Sequence, residues 1–367
     1  MNFLNSVPGQ EKALNILNEI FNSKRIPNAL LFTGKQGVGK FLAAINFLKL
    51  INSSSSESIR NNISQLKEPY VKYIFPLPRG KNETGEDGPF DKLSDEQMTD
   101  VRRELELKKS NPYYPLNIDK AENIKITSIR DVKRFLSMNF DEVKHRAIII
   151  DDAHLMSNEA QNALLKSLEE PPHNLFFILI TPYEDRLLTT TKSRCWTVNF
   201  IPLSDELVEN ILVENLNLSK SQAAQIAPFA EGSIAEALSL AEMDIDEILE
   251  NVIKILRYSL ARKYSTAMSI VDDILKRYGE DYLRSTLRLA IIWFSDVVKN
   301  KYGKENYYFN KFSETIIKFN KRFADVNIFE FSAEIDRLIT LMDKKVSLNL
   351  IVLNTIFGLG ALGLRNQ

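Results

Sequence analysis

The sequence predicts an α/β domain built on a parallel sheet, followed by an all-α region. Three observations carry that reading. An apolar run at 29–32 leads at once into Gly34-Lys35-Gln36-Gly37-Val38-Gly39-Lys40 and then into a helical pattern at 42–51. Two further apolar runs, at 147–150 and 175–180, end on polar residues: Asp151 with Asp152, and Thr181. After Pro202 the pattern is helical throughout. Apolar runs bounded by charge read as strands buried on both faces, and open α/β sheets place their ligands at the strands' carboxyl ends.

Taken in order, Leu14, Leu17 and Phe21 mark a helix over 10–21, after the turn Val7-Pro8-Gly9. Strand, glycine loop and helix then give the context of a phosphate-binding P-loop. Gly34, Gly37 and Gly39 let backbone N–H groups face a phosphate, the helix start adds its positive dipole end, and Lys40 reaches the outer phosphates. From 52 to 115 the serine-rich, proline-rich and charged composition reads as a surface excursion, with a charged helix at 95–109 closed by Tyr113-Tyr114-Pro115. A short strand is expected at 116–119 and a helix at 128–138, with Ile129, Val132 and Phe135 on one side. Ser157 caps a helix whose Ala160, Leu164 and Leu168 share a face, and Pro171-Pro172 stop it.

Ser204 caps a helix to about 214, a second runs over 219–230, and Ser233 with Glu236 forms a capping box that opens a third. Ile248, Val252, Ile255 and Leu256 share a face, and helices follow at 282–301, 329–342 and 346–362. Gly358, Gly360 and Gly363 either permit close helix packing or fray the end. The basic, aromatic run at 299–322 reads as a solvated helix and loop before it reads as a nucleic-acid contact.

The 367 residues favour two or three domains. A formal net charge of −1 supplies no global field toward DNA or a membrane, so any nucleic-acid contact is local or shared with partners. The single cysteine, Cys195, excludes a disulfide framework and a multi-cysteine metal site, and fits a reducing compartment. The amino terminus lacks the features of a signal peptide, and no apolar run approaches the roughly 20 residues that span a bilayer. A cytoplasmic location without membrane attachment is expected.

The P-loop departs from a working one at its eighth position, where Ser or Thr holds magnesium. Phe41 stands there and cannot ligate a metal. The loop is either a phosphate cradle without catalytic metal or a relic turn that binds nothing, and the residues leave both open. Asp151 and Asp152 read first as acids that solvate the strand end and cap the next turn, and second as a weakened magnesium site.

These residues, with Leu164-Leu165-Lys166-Ser167-Leu168-Glu169-Glu170-Pro171-Pro172 and Ser193-Arg194-Cys195, resemble the AAA+ subunits of bacterial clamp loaders, and among them the delta-prime type. The resemblance implies an AAA+ P-loop-type domain over 1–203 with an insertion at 52–115, a three-helix lid over 204–243 and a helical collar over 244–367. Asp151 and Asp152 then match the Walker B acids, the second shorter than the family's usual Glu, and Thr181 matches its polar sensor. Relatives often hold a four-cysteine zinc module near the insertion, and none is carried over here because those cysteines are absent.

In the family the Ser-Arg-Cys arginine points at a neighbouring subunit's ATP, where such a cation is worth roughly 10³–10⁵ in rate. Arg194 takes that role, against the simpler reading of an ion pair with Asp185, Glu184 or another carboxylate. The lid's sensor arginine is replaced by Ala235. Together these imply a stator-like subunit without ATPase activity of its own, within the DNA polymerase III holoenzyme, a DNA-directed DNA polymerase and nucleotidyltransferase. ATP and magnesium are expected only in neighbouring subunits. Implied partners are the gamma/tau and delta subunits, with the sliding clamp and primer-template DNA met through the complex. The alternative is an ATP-hydrolysing gamma/tau-type motor, disfavoured by Phe41, Asp152, Ala235 and the lack of a long extension after the collar.

Overall fold

The computed structural model describes residues 3–137, 144–324, 328–342 and 348–362. Met138, Val346 and Gly363, where the sequence suggested helix or close packing, lie outside the described residues. These residues form two compact units, Met1–Asn217 with Glu231–Glu236, and Leu218–Ala230 with Ala237–Gln367.

The first unit carries α1 (Glu11–Ser23), β1 (Ala29–Thr33), α2 (Lys40–Ile51), α3 (Glu57–Ser64), β2 (Val71–Ile74), α4 (Asp95–Ser110), α5 (Ile126–Leu136), β3 (Arg146–Ile150), α6 (Asn158–Glu169), β4 (Leu175–Thr181), α7 (Thr189–Lys192), β5 (Trp196–Asn199) and α8 (Asp205–Leu216). All strand pairs are parallel, in the order β2-β3-β4-β1-β5. Leu30, Phe32, Ile149, Ile178 and Ile180 meet residues of α1, α2 and α3 on one face. Leu31, Ile148, Ile150, Phe177 and Leu179 meet α5 and α6 on the other. Burial on both faces explains why β1, β3 and β4 read as unbroken apolar runs. Ser157 and Ser204 cap α6 and α8 as expected, accepting from the N–H of Ala160 and Leu207.

Two expectations need correction. Residues 116–119 form no strand, because the N–H of Asn117 is taken by Glu104 and that of Asp119 by Asp100. The strand beside β3 is β2, which lies inside the stretch read as an insertion. Its Lys72 looks polar in the sequence, yet it is buried between Glu68 and Asp131, which neutralise it. The sheet's other edge, β5, was also not expected.

The second unit is helical among its described residues: α9 (Lys220–Ile226), the distal part of α10 (Ile234–Ala241), α11 (Ile245–Leu260), α12 (Tyr264–Lys301), α13 (Ser313–Arg322), α14 (Ile328–Met342) and α15 (Leu348–Leu362). Helix α12 is broken at Gly279, whose φ of 81° and ψ of −171° leave the helical region just before the helix expected from 282. The basic, aromatic run buries part of its rings and leaves Tyr302 and Tyr308 exposed. Phe309 and Phe319 are buried, Phe319 lies against Trp293 and Phe294, and Lys299 pairs with the buried Asp296. Gly360 admits the ring of Tyr264, which a Cβ would strike at 2.4 Å.

Gln10, just before α1, is 2% exposed and staples two segments that the sheet keeps apart in sequence. Its Nε2 donates to the carbonyls of Val38 and Ile201 at 3.1 and 2.8 Å, and its Oε1 accepts from the Ile201 N–H at 3.0 Å. Gln10→Ala leaves the buried Val38 carbonyl without this partner and frees the part-buried Ile201 groups, at a cost of about 1–3 kcal/mol. The denaturation midpoint of the chain should fall accordingly in a urea titration, and an unchanged midpoint contradicts the staple.

Candidate functional site

The carboxyl edge of the sheet gathers most of the expected residues. β1 delivers the loop with Gly34, Gly37 and Gly39, α2 begins at Lys40 and Phe41, and β3 delivers Asp151 and Asp152. Gly37, Gly39, Lys40, Phe41, Asp151 and Asp152 line one cavity of about 30 Å³. By that measure a single water needs about 10–15 Å³, whereas ligand pockets measure about 300–1,000 Å³. Thr181 lies between two further residues that line it, Ile180 and Pro182. It is fully buried, with Oγ1 3.2 Å from His154 Nδ1 and accepting from the Tyr183 N–H at 3.0 Å.

The remaining lining explains the small volume. Lys108, Pro112, Tyr113, Pro115 and Leu116 come from α4 and the chain after it, the segment expected to be a solvated excursion. Val101, Glu104 and Lys108 form a buried face on α4, three and four residues apart. Lys108 Nζ donates to the Tyr114 carbonyl at 2.8 Å, lies 3.5 Å from Asp151 Oδ2 and sits 4.6 Å above the Phe41 ring. Tyr73 donates its hydroxyl to the same Asp151 oxygen at 2.7 Å and packs its ring against Phe41 at 5.4 Å. Tyr113 covers Gly39, and burial pushes its hydroxyl up to about 12. An ammonium and a phenol thus surround the acid that would meet magnesium in a working site. Lys108 and Tyr73 were missed from sequence, since a lysine on a charged helix reads as solvated.

Lys40 is turned back on its own loop, donating to the carbonyls of Gly34 and Lys35, the latter at 2.6 Å. Burial pulls its ammonium down to about 8, against the opposing pull of Asp151 and Asp152. Asp152 has a φ of 50°, and its carboxyl is pushed up to about 7 by burial and then by neighbouring Asp151. His154 falls to about 4, through burial and then Arg186.

The segment expected to open the last lid helix closes the loop from its other side. Ser233 Oγ donates to the Gln36 carbonyl at 2.8 Å and accepts from the Glu236 N–H, while the Ile234 N–H donates to the Gly37 carbonyl at 3.0 Å. A Cβ on Gly37, which has a φ of +73°, would lie 2.4 Å from the Ala235 nitrogen. Gly34 is held as tightly, 2.2 Å from the Phe200 carbonyl by the same measure.

Arg194 lies at the opposite edge of the sheet. It precedes β5, whose parallel register with β1 runs from Leu30↔Trp196 to Thr33↔Asn199. Strands of four residues place it about 13 Å or more from the edge that carries Lys40 and Asp151. Its Nε donates to Glu169 Oε1 at 2.6 Å and its Nη1 to the Thr190 carbonyl at 2.7 Å. The carboxylate partner is therefore Glu169, at the end of α6, rather than Asp185 or Glu184. Ser193 and Cys195 hold the turn by donating to the carbonyls of Thr190 and Thr191, and burial pushes the thiol up to about 12.

The family model described as DNA polymerase III, delta subunit, matches residues 9–204. The chain belongs to this family. That places it among the clamp-loader proteins that its motifs resemble. It is 28% identical over 244 residues to subunit tau of Bacillus subtilis DNA polymerase III, covering 65% of this chain and 37% of that protein. It is 27% identical over 306 residues to subunit delta' of the same organism, covering 81% and 79%. Escherichia coli subunit tau is 30% identical over 65% of this chain and 32% of its own length. The chain thus spans about a third of these tau relatives and most of the delta' one. A Thermotoga maritima structure described as gamma subunit-related is 16% identical, with a TM-score of 0.43 over 95% of this chain and 99% of that one. No described helix is long and apolar enough to cross a membrane, and no described cluster of three or more His, Cys, Asp or Glu residues could hold a metal ion.

Asp152 titrates from an ordinary 3.8 when unfolded to about 7 when folded. Between those values the folded chain keeps a proton that the unfolded chain has lost, so this group's contribution to stability falls as pH rises. Asp152→Asn removes that fall. Its stability relative to the parent should therefore climb from about pH 4 to about pH 7, read from paired urea titrations, and a difference independent of pH contradicts the raised carboxyl.

Proposed function

We propose that the chain is a delta-prime-type, non-hydrolysing subunit of the bacterial sliding-clamp loader, which offers Arg194 to the ATP site of a neighbouring ATPase subunit. The observation that supports this reading is the small cavity at the P-loop. Lys108, Tyr113 and Phe41 line the small cavity left at the P-loop, and Lys108 stands beside the acid that magnesium would meet. Ala235 packs on the loop without any cation for a γ-phosphate.

The edge geometry supports the second half of the reading. Arg194 is a sheet's width from its own loop, so a phosphate it meets comes from another chain. Its pair with Glu169 is partly exposed on both sides. Pairs of that kind are worth about 0–1 kcal/mol, and a planar guanidinium exchanges readily onto phosphate oxygens. The neighbour that fits is a tau/gamma subunit holding ATP and magnesium, with delta in the same assembly. The clamp and primer-template DNA are met through that complex, and the whole serves the DNA polymerase III holoenzyme in replication. The segment 204–243 acts as the lid and 244–367 as the collar that joins subunits, in the cytoplasm.

In the reconstituted loader, Arg194→Ala should lower DNA- and clamp-stimulated ATP hydrolysis by about 10³-fold or more while the assembly still forms. Hydrolysis at the parent rate in an intact assembly removes the arginine from the neighbour's site.

A further inference from the structure

We propose that Glu169 is a positioning residue that gates Arg194, parking the guanidinium on its own chain until a neighbour's triphosphate competes for it. This rests on the reading of Arg194 given above and adds how that arginine is regulated.

Every nitrogen of the Arg194 guanidinium is engaged within the chain. Nε donates to Glu169 Oε1 at 2.6 Å, Nη2 lies against the same oxygen, and Nη1 donates to the Thr190 carbonyl at 2.7 Å. A guanidinium held in this way meets an outside phosphate only by giving up its carboxylate.

Glu169 is placed for that part. It is the last residue of α6, next to Glu170, and acids at the carboxyl end of a helix oppose its dipole. Lys166 stands three residues earlier, at the spacing of a helical ion pair, yet makes none among the described residues. Glu169 pairs with Arg194 instead. Its main chain is fixed, since its carbonyl accepts from Asn28 Nδ2 at 2.6 Å beside the start of β1. The side chain can therefore let go without moving the helix. The carboxylate is 47% exposed and the guanidinium 30%. Water solvates the acid once it is released, which keeps the exchange reversible.

The acceptors set the direction. A triphosphate offers several charged oxygens to the planar fork of an arginine, where Glu169 offers one carboxylate. When the γ-phosphate has been cleaved and lost, the carboxylate takes the arginine back. The gate thus holds hydrolysis low before the neighbour's site closes on Arg194, and resets after each turnover.

Glu169→Gln keeps the side chain's length and removes its charge. In the reconstituted loader it should raise ATP hydrolysis without clamp or DNA by about two- to fivefold, the range that a part-exposed ion pair can hold back. The rate at saturating clamp and DNA should stay at the parent value, which a distorted turn would not allow. Glu169→Gln/Arg194→Ala should hydrolyse no faster than Arg194→Ala alone, because the effect runs through the arginine. In the isolated full chain, the isotope-labelled Arg194 Nε–H should exchange with water faster in Glu169→Gln than in the parent. An unstimulated rate that is unchanged or lower in Glu169→Gln, or unchanged exchange of that N–H, overturns the gate and leaves the arginine reading standing. An Arg194→Ala loader that hydrolyses at the parent rate overturns the arginine reading and the gate with it.

Discussion

The contact between the Lys108 ammonium and the Asp151 carboxylate organises the carboxyl edge of the sheet. Asp151 is buried at the end of β3, and a buried carboxylate is costly unless a cation or strong donors attend it. Lys108 supplies the cation and Tyr73 the donor. Lys108 in turn depends on α4, whose Glu104 fixes the backbone at Asn117 and so holds the covering segment in place. Phe41 belongs to the same arrangement. It offers a ring face to the ammonium and an edge to Tyr73, where a hydroxyl would have offered a ligand to magnesium. A side chain that looks like damage to a P-loop is therefore part of a packed cluster.

The sheet separates the two groups of residues by the length of its strands. Loop, Lys40 and the acids follow strand ends, while Glu169 and Arg194 precede strand starts. Parallel topology makes that separation unavoidable, because every crossover helix returns the chain to the same starting edge. Side chains at one edge can therefore change without altering the other. The segment 231–236 adds a restraint at that edge, since Ser233 and Ile234 satisfy loop carbonyls that lie beside the glycines.

What the sequence made legible follows from burial. Strands β1, β3 and β4 are covered on both faces and therefore carry no polar interruption, so the sheet's centre and its polar ends were readable. Both edge strands were not. β2 hides a neutralised lysine, and β5 buries only Val198. The P-loop residues, Asp151 and Asp152 fell together as expected, because a glycine loop after a strand constrains its own geometry. Thr181 ends the neighbouring strand beside them, its hydroxyl held by His154 and the turn at Tyr183. Lys108 gave no signal, because its burial depends on what Glu104 and the chain after α4 do in space. The partner of Arg194 was hidden for the same reason, as Glu169 lies 25 residues away across a helix and a strand.

The central claim is that this chain fills its own nucleotide site with its own side chains. The direct test is equilibrium dialysis of the isolated full chain against labelled ATP with magnesium, beside Lys108→Ala/Tyr113→Ala. The account predicts no retention by the parent chain at millimolar nucleotide, with any retention confined to the variant whose covering side chains are removed. Stoichiometric retention by the parent chain, lost on Lys40→Ala, would contradict it.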